Sequence, residues 1–234
     1  MESYIAPVTT STTKSPGLIV IHEIWGLNDH IKDICNRFAR EGYTTLAPDL
    51  LSETGIFEKI SPSIFADFQD PEKRHDAQAR MREAMQPILT PEYAQHAIAE
   101  LKAAFEELLA LPSSNGNVGV VGFCFGGSYS FHLAAHEPRL KAAVPFYGQP
   151  PSEDEIAQIT CPVLAFYGEE DTALIGSLPE LRERMAKYNK NFTAEVYEKT
   201  GHAFFNDQNP KAYNKEAAQD AWKKTLSFFA ENLK

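Results

Sequence analysis

Cys124 sits between glycines in Gly122-Phe-Cys-Phe-Gly-Gly127, and His202 closes Lys199-Thr-Gly-His202. A thiol and an imidazole can together attack a carbonyl. The sulfur adds to carbon once the ring takes its proton, and the ring later returns that proton to the leaving group. Gly168-Glu-Glu-Asp171 offers an acid. Asp171 would bind the other ring nitrogen, fixing the tautomer and stabilising the imidazolium. Each residue has a plainer alternative. Cys124 could be an inert thiol in a glycine-rich turn, His202 a surface-loop histidine and Asp171 a helix cap. Glu169 or Glu170 could instead supply the acid.

The elements around these residues favour the joint reading. Val118 to Val121 is a short β-branched run that reads as a buried strand. Ser128 to His136 has a helical apolar rhythm. Strand, sharp turn and helix form the setting of a nucleophile elbow, Gly-x-Ser-x-Gly, here with Cys in place of Ser. Gly122 and Gly126 fit a turn too tight for Cβ atoms. The helix that follows would point free N–H groups at Cys124. An oxyanion needs such donors. The N–H of Phe125 is one candidate, and that of Ile24, in the turn after the first strand, is the other.

Strands alternate with helices along the chain. Leu18–His22 reads as a strand, and Asn28 caps a helix over about 30–41, with Cys35 on its buried face. Tyr43–Ala47 is the next strand. Residues 71–85 read as a solvated helix, and Thr90-Pro91-Glu92 opens a long one to about Ala110. Further strands lie at 142–148, 161–168 and 193–197, with helices at 179–189 and 212–234, while 150–155 reads as a loop. This order implies a mostly parallel central sheet with helices on both faces. Cys124, Asp171 and His202 each follow a strand, in the chain order of an α/β-hydrolase triad. The expected architecture is one α/β-hydrolase domain over residues 1–234. An irregular excursion at about 50–90 is expected to cover the site.

Totals narrow the function. The chain has 234 residues, 43% hydrophobic and 23% charged, enough for one large core. Its net charge of -10 argues against nucleic-acid or anionic-membrane partners. Three cysteines, Cys35, Cys124 and Cys161, fit a reducing compartment better than a disulfide scaffold. No signal peptide or membrane span is apparent, so a cytoplasmic location is expected. No metal or organic cofactor is expected.

From Leu18 to the C-terminus the chain resembles the dienelactone hydrolase (carboxymethylenebutenolidase) family. The likeness is carried by His22-Glu-Ile-Trp-Gly-Leu-Asn28, Gly122-Phe-Cys-Phe-Gly-Gly127, Gly168-Glu-Glu-Asp171 and Gly201-His202. It implies hydrolysis of a small ester or lactone through a thioester on Cys124. It also implies that Glu23 bonds the resting thiol and is displaced when substrate arrives. Family members that act on dienelactone carry an arginine four residues past the histidine, where this chain has Asn206. Arg74, in the excursion, is the best match for a second substrate-gripping arginine, with a solvated helix charge as its plainer alternative. The apolar pair Phe204-Phe205 beside His202 points to a neutral substrate. Trp25, Tyr147 and Phe204 are candidate pocket walls, though Trp25 and Tyr147 could equally be core aromatics. A thioesterase or acyltransferase with the same triad and a non-catalytic ligand-binding fold are the alternatives. Either a monomer or a homodimer is compatible with the sequence.

Overall fold

A computed structural model of the chain describes residues 2–8, 14–60, 64, 67, 70 and 72–234, with Arg74 described by its backbone only. The strands are β1 (Ser3–Ala6), β2 (Ser15–Ile21), β3 (Thr44–Pro48), β4 (Ser114–Phe123), β5 (Ala142–Phe146), β6 (Val163–Gly168) and β7 (Phe192–Tyr197). The helices are α1 (Asp29–Arg40), α2 (Ile56–Lys59), α3 (Arg74–Met85), α4 (Pro91–Ala110), α5 (Phe125–His136), α6 (Glu153–Gln158), α7 (Thr172–Lys187) and α8 (Lys215–Leu233).

The strands form one sheet in the order β1-β3-β2-β4-β5-β6-β7. Among the described residues only the edge strand β1 runs antiparallel, against β3. After β2 the chain turns outward to β3, then returns to lay β4 on the other side of β2. The order of connection therefore reverses between β2 and β4. At such a switch point a crevice opens beyond the strand ends.

Both faces of the sheet are covered. Gly17 and Leu18 are partners of Val118 and Gly119. Neighbouring residues on a strand point to opposite faces. On the Gly17 side lies Leu108 of α4; on the Gly119 side lie Phe229 and Leu233 of α8. Phe38 of α1 meets Trp222 and Phe229, so α1 shares the α8 face. Tyr93 of α4 meets Tyr129 of α5 on the other. With both faces buried, β2 is buried along its whole length and reads as an unbroken apolar run.

The helix signals act as local chemistry dictates. Asn28 accepts the Ile31 N–H at 3.2 Å, and Thr90 accepts that of Tyr93 at 3.1 Å. Two expectations need correction. Residues 150–155 are not all loop, because Ser152 and Glu155 form a reciprocal capping box that starts α6. The helix expected from Pro179 begins at Thr172, and Pro179 lies inside it. The buried stripe Leu174, Leu178, Leu181 and Met185 spans the proline and outweighs the missing hydrogen bond.

The excursion is more ordered than its composition implies. A 3₁₀ turn at Ser52–Thr54 and α2 follow β3, with Ile56 buried. Phe65 and Phe68, two of its apolar residues, lie outside the described residues. Phe57 lies against the turn after β2: a Cβ on Gly26 would come within 2.6 Å of its ring. The described part of the excursion thus reaches the turn that carries Glu23, Ile24 and Trp25.

Ser152→Ala removes the capping hydroxyl of α6. It should lower stability by about 1 kcal/mol, read from the urea unfolding midpoint.

Candidate active site

Three backbone segments close on one another to make the elbow. A Cβ at Gly122 would lie 2.1 Å from the Gly126 carbonyl oxygen, and one at Gly126 would lie 2.2 Å from that of Ile21. The Gly126 N–H donates to His22 O at 3.1 Å, and the Cys124 N–H donates to Phe146 O at 3.0 Å. The ends of β2, β4 and β5 are thereby tied to the first turn of α5. Cys124 is held at φ 55°, a conformation that costs a side chain energy and that only a rigid surround maintains. It is half-buried, whereas Cys35 and Cys161 are buried and burial pushes each of their thiols up to about 12. Phe125 is the first residue of α5, where an N–H has no carbonyl a turn earlier to bond. Ile24 is buried in the turn facing it.

His202 brings the other groups together. Its Nδ1 lies 2.5 Å from Asp171 Oδ2. A carboxylate only accepts, so Nδ1 carries the hydrogen and Nε2 remains for the thiol. Asp171 occupies the N-cap position of α7, yet its side chain does not cap the helix and turns to His202 instead. Burial lowers the affinity of His202 for a proton. Hydrogen bonds and charge from Asp171 and Cys124 more than reverse this, raising the ring to about 10. The ring keeps 43% of its side-chain surface open, and solvent there screens these charges.

The acid turn and the histidine loop are stitched into one unit. The Glu170 N–H donates to Thr200 O at 2.9 Å, and the Lys199 N–H to Glu169 Oε2 at 3.0 Å. Glu169 thus braces the loop. Asn214 caps α8 through Ala217 N–H, donates to Thr200 Oγ1 at 3.0 Å, and bonds Phe204 O through its own N–H. Neither Thr200 nor Asn214 carried a sequence signal for this role beyond the helix-cap composition at 214.

Glu23 is buried, with 2% of its surface exposed. Asn206 Nδ2 donates to its Oε2 at 2.6 Å, and the Tyr147 hydroxyl to its Oε1 at 3.3 Å. Burial raises its pKa, while Asn206, His202 and Tyr147 pull the other way. Among the described residues its side-chain hydrogen bonds go to these two donors and not to Cys124. The bond to the thiol implied by the resemblance is absent in this conformation. His22 holds the turn from behind. Its Nδ1 donates to Glu23 O at 2.6 Å, and its Nε2 accepts the Leu50 N–H at 3.0 Å. Burial lowers its pKa, so the ring stays neutral.

The wall candidates divide. Tyr147 is buried, at φ 39°, with its ring 4.9 Å from that of His202 and its hydroxyl on Glu23. Trp25 is half-buried in the turn after β2. Phe204 has no exposed surface. It packs behind Tyr147 at 5.5 Å and beside Tyr197 at 5.3 Å, so it supports the wall without facing a substrate. Phe205 is equally buried, stacked on Phe123. The apolar pair therefore says nothing about substrate polarity. Arg74 opens α3, and its side chain lies outside the described residues.

His132 and His136 stand one helical turn apart, as metal-binding pairs do. Here His132 Nδ1 lies 2.6 Å from Glu155, while His136 Nδ1 donates to the His132 carbonyl. No group of three candidate metal ligands occurs among the described residues. No helix among them is long and apolar enough to cross a membrane.

A strained elbow between a central strand and its helix, with an acid and a histidine at later strand ends, defines an α/β-hydrolase fold. The chain belongs to the dienelactone hydrolase family, whose model matches residues 1–233. It is 37% identical to a provisionally named carboxymethylenebutenolidase of Saccharolobus solfataricus, over 93% of this chain and 91% of that one. A provisionally named carboxymethylenebutenolidase of Salmonella typhimurium is 32% identical, over 99% and 83%. The crystal structure of a provisionally named dienelactone hydrolase from Klebsiella pneumoniae superposes with a TM-score of 0.78 at 27% identity, covering 98% of this chain and 92% of that one.

Two outcomes are expected. Gly126→Ala drives a Cβ into the Ile21 carbonyl and should cost at least about 3 kcal/mol, seen as a lower urea midpoint or loss of soluble protein. His202 binds its proton more tightly folded than unfolded. Its stabilisation is therefore complete below pH 6.5 and lost as pH rises through about 10. The gap in urea midpoint between wild type and His202→Gln should be widest below pH 6.5 and should close toward pH 10.

Proposed function

We propose that the chain hydrolyses a small, uncharged ester or lactone through a thioester on Cys124. The observation that carries this reading is the His202 ring, bonded to Asp171 at 2.5 Å and near enough to Cys124 for the thiol to raise the ring's proton affinity. In this mechanism His202 takes the Cys124 proton as the sulfur adds to the carbonyl carbon, and the N–H groups of Phe125 and Ile24 receive the oxyanion that the broken C=O π bond leaves. The imidazolium gives its proton to the leaving alkoxide as the C–O bond breaks, which leaves the acyl group on sulfur. A water then attacks the thioester. His202 takes its proton, the C–S bond breaks, and the sulfur and imidazole regain their starting state. Asp171 holds the ring in the productive tautomer throughout.

The preference for an uncharged substrate follows from the charges present. The groups gathered at the site are two carboxyls, an imidazole, a thiol and a phenol. Where a family arginine would stand, Asn206 is turned to Glu23. No cation among these described residues is free to pair with a substrate carboxylate.

Brief exposure to a panel of activated esters and lactones, followed by intact-mass analysis, tests the reading. An acyl adduct should appear, be absent in Cys124→Ala, and give way to free acid. His202→Ala should lower kcat/KM by a factor of roughly 10² to 10⁴. A thioesterase or acyltransferase would show preferred use of thioesters, or transfer to an added thiol or amine. A ligand-binding fold would bind without turnover or adduct.

A further inference from the structure

Glu23 is a carboxyl sealed inside the protein, and both hydrogen bonds that hold it come from uncharged donors. Neither donor is free to turn away. The Asn206 amide oxygen accepts the Gln208 N–H at 3.1 Å, so the NH₂ must face Glu23. The Asn206 N–H is itself bonded to Ala203 O at 3.0 Å. Tyr147 is anchored through its N–H to Phe166 O at 2.7 Å and is held in the left-handed region. A strained, non-glycine residue at a crevice marks a position that the surround enforces.

The titratable groups around the thiol are His202 from the loop after β7, Tyr147 after β5 and Glu23 after β2, with Asp171 behind the imidazole. Tyr147 senses the charge of both Glu23 and Cys124, and Glu23 senses that of His202. A carboxylate loose in this cluster would compete with the sulfur for the imidazolium. It would also oppose a negative charge on the sulfur. Held by two donors, it does neither.

We propose that Asn206 is a positioning residue which, with Tyr147, parks the Glu23 carboxylate in a buried socket and leaves His202 as the thiol's sole acid–base partner. The inference deepens the reading of Cys124 as nucleophile and rests on it. The site is then armed before any substrate arrives, and no substrate charge is needed to move Glu23.

Alkylation of Cys124 by iodoacetamide, followed against pH by intact mass, reads the thiol without any ester. Asn206→Leu keeps the size of the side chain and removes the donor. The alkylation rate at pH 7 should fall about tenfold, with the midpoint of the pH profile rising by about one pH unit. In a Glu23→Gln background the same substitution should shift neither. Tyr147→Phe removes the second donor and should move the profile the same way by less, which keeps the test available if Asn206→Leu does not fold. An unchanged profile in both single variants would overturn the proposal, as would an equal shift in the Glu23→Gln background. Failure of every ester to acylate Cys124 would instead count against the hydrolase reading and leave the alkylation result readable.

Discussion

The structure depends on one steric constraint: the ends of β2, β4 and β5 approach the first turn of α5 so closely that no Cβ fits at Gly122 or Gly126. Backbone contact at that distance fixes the turn more firmly than any side chain could. It forces Cys124 into a strained conformation and leaves it half-buried, unlike the other two cysteines. It starts α5 directly after Cys124, so that the free N–H groups of the helix's first turn lie next to that residue. It also ties the turn after β2, with Glu23 and Ile24, to the elbow that carries Cys124. The strain at Cys124 is sustained by bonds from Gly126 N–H to His22 and from Cys124 N–H to Phe146.

The electrostatics follow from who faces whom. Asp171 forgoes capping its own helix and bonds His202, so the ring gains basicity from a neighbour in another loop. Glu23 is held by an amide and a phenol. Neutral donors stabilise a buried carboxylate less than a cation would, and burial accordingly leaves Glu23 with a raised pKa. The chain, a member of the dienelactone hydrolase family, thus gathers a thiol, an acid and a histidine beside a buried carboxyl that is held by Asn206.

Where sequence reading failed, the competing force can be named. Pro179 looked like a helix start because proline is favoured in a first turn, but a buried leucine stripe carried the helix through it. Ser152 and Glu155 had the spacing of a capping box and lay hidden among acidic residues between prolines. Phe204 and Phe205 looked like pocket residues by adjacency to His202, but the sharp turn at Ala203, with φ 62°, sends both rings into the core. Adjacency in sequence says little about direction once a left-handed residue intervenes.

Alone, the sequence determined the alternating elements, the glycine-bounded elbow and the order of thiol, acid and base. All of these arise from local periodicity, turn chemistry and strand-end position. Tertiary structure decided what each side chain at the crevice touches. Asn206 and Glu23 are 183 residues apart in sequence, Tyr147 and Glu23 are 124 apart, and nothing local encodes either bond. Such pairings exist only after the sheet has set its loops side by side. The burial that strengthens them is likewise a property of the assembled fold.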